Sequence, residues 1–208
     1  MDHPLQTELT NVIRWFHSKG WAPATSSNYS FRNPVPHEKT LTISRSGVDK
    51  AHFCNDDFMT VDMEGRPVAG FENIKPSAET RLHTMLYDLH AETGCVLHTH
   101  TPLNTALSRR FVKKGFLDLS GYEILKGLEG VKTHDLPMAL PIFANSQDIP
   151  ALSVTIQTHL RGQANPPPGF LLSGHGLYAW GKTIAAAKRH VEVWEFLLEC
   201  ESISCTQP

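Results

Sequence analysis

The chain has 208 residues, 40% of them hydrophobic and 19% charged, with a net charge of −2, enough for one globular domain over residues 1–208 with a proper core. No Lys/Arg block interrupts it, which argues against a nucleic acid or an anionic membrane as partner; a phosphorylated metabolite stays open, because a phosphate needs only a few local donors. No apolar run approaches the ~20 residues of a membrane span. Cys54, Cys95, Cys200 and Cys205 are scattered without a CxxC, and the opening Met-Asp-His-Pro-Leu-Gln is no hydrophobic leader, so reduced thiols in a cytoplasmic protein are expected.

In chain order, Leu5, Leu9, Val12, Ile13 and Phe16 mark one face of a helix, stopped at Gly20. A polar turn, Thr25-Ser26-Ser27-Asn28, leads into the strand Tyr29–Arg32. Leu41–Ser44 and Phe58–Val61 read as two more strands, the first ending in the turn Ser46-Gly47. Ser77 is placed to cap a helix reaching about Thr93, with Leu82, Met85, Leu86 and Leu89 as its buried stripe and Gly94 as its stop. A buried strand, Cys95-Val96-Leu97, follows at once, then a short helix from Pro102, a helix around Ser120–Leu128 and the strand Ala139–Phe143. Ile149, Leu152, Ile156 and Leu160 predict an amphipathic helix. After the stiff run Pro166–Pro168 come two strands, Phe170–Leu172 and Leu177–Trp180, and a last helix carrying Ile184, Ala187, Val191, Trp194 and Leu198. Strands joined by short turns and interleaved with helices predict a three-layer αβα fold around a mainly antiparallel sheet, in preference to a doubly wound parallel one.

The chemistry concentrates in histidine. Residues two apart on a strand share a face, so His98 and His100 of His98-Thr99-His100 stand side by side. A third imidazole, His175 in Gly174-His175-Gly176, would complete a three-histidine site with one position open, the arrangement of a catalytic zinc. The glycines on either side free that turn for close approach. Glu79 reads equally as a fourth ligand, a general base, or a carboxylate favoured by a helix N-terminus. The turns Thr25–Asn28 and Ser44–Gly47, with Ser77 at a helix start, have the hydroxyls and backbone N–H groups of an anion cradle; Thr25, Ser27, Asn28, Ser46, Gly47 and Ser77 are the candidates. By periodicity alone Glu123 is a solvated helix carboxylate.

This set resembles the class II aldolase/adducin family of zinc-dependent sugar-phosphate enzymes over nearly the whole chain. Thr25-Ser26-Ser27-Asn28-Tyr29-Ser30 is similar to the family's T-x-G-N-x-S turn, with Ser27 in place of glycine. Ser46-Gly47-Val48 is similar to its P-S-G-V/I turn, with Arg45 where proline is usual. Pro76-Ser77-Ala78-Glu79 matches P-S-x-E, His98-Thr99-His100 the metal strand, and His175-Gly176-Leu177 the H-G turn. Within the family, Glu123-Ile124-Leu125-Lys126-Gly127, the segment His175–Lys182 and the helix Glu192–Leu197 look like those of its sugar-phosphate dehydratases. The resemblance implies one zinc per subunit on His98, His100 and His175, a helix glutamate, Glu123, acting as acid/base with a raised pKa, and a homotetramer with sites near subunit boundaries. An aldolase or an epimerase of the same family is the alternative. A non-catalytic module, as in the adducin-like branch, is disfavoured because the metal histidines are all present.

Overall fold

The computed structural model describes residues 4–37, 39–135 and 137–204; Cys205 lies outside them. Among the described residues there are eight strands, β1 (Asn28–Arg32), β2 (Thr40–Ser44), β3 (Phe58–Asp62), β4 (Cys95–Thr99), β5 (Phe116–Asp118), β6 (Ala139–Phe143), β7 (Gly169–Leu172) and β8 (Gly176–Gly181). They form one sheet in the order β3-β2-β1-β4-β8-β7-β6-β5. Every pairing is antiparallel except β6 with β7; β1 with β2 and β7 with β8 are joined by the short connections that antiparallel neighbours allow.

The helices are α1 (Pro4–Ser18), α2 (Thr80–Leu89), α3 (Pro102–Phe111), α4 (Ile149–Arg161) and α5 (Ile184–Ser204). Strand alternation divides the core in two. Tyr29, Phe31, Leu97, Leu171, Leu177 and Ala179 face the apolar stripes of α1, α3 and α5. Leu41, Ile43, Val96, Phe170, Leu172, Tyr178 and Trp180 face α2 and α4. Helices therefore cover both sides of the sheet, and the expected αβα architecture with a mainly antiparallel sheet is what the chain adopts. No helix among the described residues is long and apolar enough to cross a membrane. Trp194 is wholly buried and Trp180 nearly so, both in the core.

Two helices differ from expectation. α2 is shorter at both ends. The Ser77 carbonyl takes the Thr80 N–H (3.1 Å) and Thr80 Oγ1 (2.8 Å), which makes a turn ahead of the helix and puts Glu79, not Ser77, at the cap position. At the other end His90 is extended (φ −124°, ψ 98°) and stacks on Trp180. The helix expected around Ser120–Leu128 is a five-residue 3-10 turn, Glu123–Gly127. Gly121 sits at φ +86°, which no right-handed helix accommodates. Gly127 packs so tightly on α5 that a Cβ there would meet Val193 at 2.7 Å. β5, with only Leu117 of its three residues buried, was too short to leave a periodic signal.

Candidate metal centre

β4 runs through the middle of the sheet, paired with β1 on one side and β8 on the other, and all five of its residues are buried. The register sets Asn28 and Tyr178 on either side of His98. His98 faces the α2 side, stacked on the Tyr178 ring at 4.0 Å, and its Nδ1 donates to the Leu177 carbonyl (2.9 Å). That bond fixes the tautomer and leaves the Nε2 lone pair free for a ligand. His100 lies one residue past the end of the strand, yet its Nε2 is 2.7 Å from that of His98. His175, in the turn between β7 and β8, places its Nε2 3.3 Å from His98. All three ligand atoms fall within 4.8 Å of one another. Zinc–nitrogen bonds of about 2.0–2.1 Å in a tetrahedron space neighbouring nitrogens at about 3.3 Å. The His98–His175 spacing already has that value, and the His98–His100 pair would open by a few tenths of an ångström.

The β8 glycine makes this convergence possible. A Cβ on Gly176 would meet the Thr99 carbonyl at 2.3 Å and His98 Cε1 at 2.7 Å, so any larger residue would drive the third-ligand turn away from the first two. Burial holds His98 well below the usual histidine range and His100 down to about 4; at neutral pH both are neutral bases. Three imidazoles with their Nε2 atoms aimed at one point form a donor set suited to a divalent cation.

Glu79 overhangs the same point from the start of α2, with Oε1 2.9 Å from His175 Nε2 and Oε2 3.4 Å from His98 Nε2. Asn28 Nδ2 (2.6 Å) and Tyr178 OH (3.0 Å) both donate to Oε2. Burial works to raise its pKa, but His98, His175 and the Asn28 bond outweigh it and hold Glu79 below the usual carboxylate range. The site thus carries one fixed negative charge. Behind it, His83 donates to Asn28 Oδ1 through Nε2 and accepts from Ser30 Oγ (2.7 Å) through Nδ1. Asn28, Tyr178 and His83 escaped the sequence reading in these roles. His83 alone left a signal, since it lies four residues after Glu79 and so shares its helix face.

The expected phosphate turns are less uniform. Thr25, Ser46 and Gly47 are exposed, and the turns are joined where Lys50 N–H reaches the Ala24 carbonyl (3.4 Å). Ser77 Oγ lies 3.4 Å from Asn28 Nδ2 and accepts from Glu79 N–H at 3.3 Å. The side chain of Asn28 is therefore committed to Glu79, Ser77 and His83. Arg45 is tied to Asp57 (2.8 Å). Ser27 adopts φ +71°, a left-handed conformation that costs a side-chain-bearing residue about 1–2 kcal/mol. Part of this is offset by the extra unfolded-state freedom of glycine. Ser27→Gly is therefore expected to stabilise by about 0.5 kcal/mol, raising Tm by about 1–2 °C in a thermal melt; a lower Tm would mean that the hydroxyl contributes more than the strain costs.

Glu123 does not join the histidines. Its side chain is 69% exposed, 2.5 Å from Lys126 Nζ and 2.9 Å from His134 Nδ1. The Lys126 hydrogen bond, then the charges of Lys126 and His134, hold its carboxyl below the usual range, opposite to the raised pKa expected of an acid/base. Among the described residues no hydrogen bond or ion pair connects it to the metal centre.

The sequence profile of the Class II Aldolase and Adducin N-terminal domain matches residues 7–202. The methylthioribulose-1-phosphate dehydratase of Picosynechococcus sp. is 49% identical over 193 residues, covering 93% of this chain and 89% of that protein. The protein of the same name from Xanthomonas campestris pv. campestris is 46% identical over 199 residues, 96% of this chain and 88% of its own. Among solved structures, an L-fuculose 1-phosphate aldolase has a TM-score of 0.78 at 18% identity, over 100% of this chain and 90% of its own. The L-fuculose-1-phosphate aldolase of Thermus thermophilus has a TM-score of 0.71 at 22% identity, over 98% and 97%. At such identities the structures speak for the fold alone.

Proposed function

Because this chain belongs to the class II aldolase and adducin family, we propose that it dehydrates 5-methylthioribulose 1-phosphate to 2,3-diketo-5-methylthiopentyl 1-phosphate and water, a step of methionine salvage. The observation that carries this reading is the near-half identity to methylthioribulose-1-phosphate dehydratases across almost the entire chain. The likeness to aldolases is confined to the fold, which does not choose a reaction.

His98, His100 and His175 would hold a zinc ion, with Glu79 beside it as the compensating charge. Zinc there supplies a Lewis acid for the negative charge that develops on the substrate C2 oxygen as the C3 proton leaves. Glu123 takes that proton and returns it to the departing C4 hydroxyl, so water leaves and the remaining enol tautomerises to the diketone. Since Glu123 lies apart from its own subunit's histidines, we place it in a neighbouring subunit's site within a homotetramer. There, desolvation and loss of Lys126 and His134 would raise its pKa toward the value an acid/base needs. Thr25, Ser27, Asn28, Ser46, Gly47 and Ser77 would anchor the phosphate through hydroxyls and backbone N–H groups, fixing the reacting carbon over the metal. The free thiols of Cys54, Cys95 and Cys200 suit a cytoplasmic enzyme.

The test is turnover of 5-methylthioribulose 1-phosphate, with fuculose 1-phosphate and ribulose 5-phosphate in parallel. The expected result is diketone formation that a chelator abolishes and zinc restores. Triose phosphate or an epimer from a control sugar, without diketone, would assign the chain to an aldolase or epimerase instead.

A further inference from the structure

On the opposite face of β4 from the imidazole of His98 lies a buried carboxylate that the reaction above does not use. Glu195 of α5 is 4% exposed. Its Oε1 accepts from Thr99 Oγ1 (3.2 Å) and Asn104 Nδ2 (3.0 Å), and its Oε2 from Thr101 Oγ1 (2.9 Å). Thr99 and Thr101 are the two neighbours of His100 in the chain, and Thr99 also follows His98. Asn104 extends the connection: its Nδ2 reaches the Thr99 carbonyl (3.3 Å), and its Oδ1 accepts from the Thr101 N–H (3.0 Å). Thr105 Oγ1 lies within reach of both Asn104 Oδ1 (3.3 Å) and the His175 carbonyl (3.1 Å).

We propose that Glu195 is a positioning residue for the three-histidine site: through Thr99, Thr101 and Asn104 it fixes the end of β4 that carries His98 and His100, and through Thr105 it ties in the turn that carries His175. The inference rests on the metal reading of those histidines. Through Asn104 and Thr105 of α3, the network around a single side chain thereby links segments some 75 residues apart. Packing alone offers no reason for a carboxylate here. Glu195 stands beside Val191, Trp194 and Leu198 on a helix whose buried residues are mostly apolar, and burial pushes its carboxyl up to about 7 against the pull of its three hydrogen bonds. Burying an acid has a cost that a leucine would avoid; three donors held in one geometry are what leucine could not provide. Because Glu195 touches neither the metal position nor the substrate, it acts only by placing groups that do.

Glu195→Leu puts an apolar side chain of comparable size in the same place and removes the acceptor shared by Thr99, Thr101 and Asn104. Glu195→Gln can keep the network, its carbonyl replacing Oε1 and its amide donating to the Thr101 hydroxyl. Zinc affinity of the purified proteins, measured by competition with a chromophoric chelator and without turnover, separates the two. Outer partners of metal ligands typically contribute 10–100-fold in affinity, so Glu195→Leu is expected to weaken zinc by about tenfold or more and Glu195→Gln by no more than about threefold. In turnover, kcat should fall for Glu195→Leu with little change in KM. Should Glu195→Leu fail to fold, Thr105→Val removes the tie to His175 together with the Thr105–Asn104 contact, leaves Glu195 and its three donors in place, and is expected to weaken zinc by about threefold or more. Glu195→Leu (or Thr105→Val, if that is the variant that folds) binding zinc as tightly as the parent would overturn the positioning role while leaving the metal site intact. A parent that takes up no divalent metal would overturn the metal reading, and the positioning role with it.

Discussion

Replacing His98 with alanine is expected to leave a folded protein that no longer holds zinc stoichiometrically and whose kcat/KM is lower by about 10³-fold or more. A Lewis acid at a developing oxyanion contributes several kcal/mol, and each 1.36 kcal/mol is tenfold in rate. His98 is the ligand with the least freedom, wholly buried, stacked on Tyr178 and held at Nδ1 by the Leu177 carbonyl. A second readout needs no substrate. Zinc at a thousand times its Kd stabilises the folded parent by about 4 kcal/mol, or roughly 8–16 °C in Tm for a chain of this size. That increment should vanish in the variant, whose metal-free Tm should sit below that of the metal-free parent because a buried ring has been removed. Metal analysis showing full zinc in His98→Ala would remove this residue from the site.

The strand β4 and its histidine pair were legible for the same reason. β4 is buried on both faces, so it reads as a short apolar run, and a strand carries its polar residues out two at a time on one face. The Gly-flanked His175 was legible because a turn that must come within van der Waals distance of another strand excludes a Cβ, and glycine is the residue that allows this. What stayed hidden is what depends on register. Nothing in Leu177-Tyr178-Ala179 announces that Tyr178 will lie opposite His98, or that Asn28 will pair with it from the other side. The short 3-10 turn at Glu123–Gly127 was misread as a helix because its 3/4 apolar spacing is real, whereas its two glycines act through a positive φ and a close approach to α5 that only the fold displays. Glu195 was hidden in the same way: in sequence it is one more charge on a long helix, and its three donors come from β4 and α3.

The largest consequence of the structure concerns Glu123. Glutamine there is expected to retain full zinc and to lose about 10²–10⁴-fold in kcat, the usual contribution of a positioned acid/base. That single substitution tests the role but not the place. The two lesions proposed here can be combined in one assembly. If Glu123 serves the histidines of its own subunit, every site in an oligomer mixed from Glu123→Gln and His98→Ala subunits carries a lesion, and the mixture stays inactive. If it serves a neighbour, a site built from the histidines of a Glu123→Gln subunit and the Glu123 of a His98→Ala subunit is whole. Random mixing in equal amounts makes this so for half of a half, about a quarter, of sites. Co-refolded or co-expressed mixtures should therefore recover about a quarter of parental activity, with neither variant active alone. The exposed position of Glu123, its ion pairs with Lys126 and His134, and its lowered pKa are what an isolated subunit of such an assembly would show. An inactive mixture of demonstrably mixed oligomers would mean that Glu123 serves the histidines of its own chain, whereas near-parental turnover in Glu123→Gln alone would leave Glu79, already beside the metal position, as the carboxylate that must move the proton.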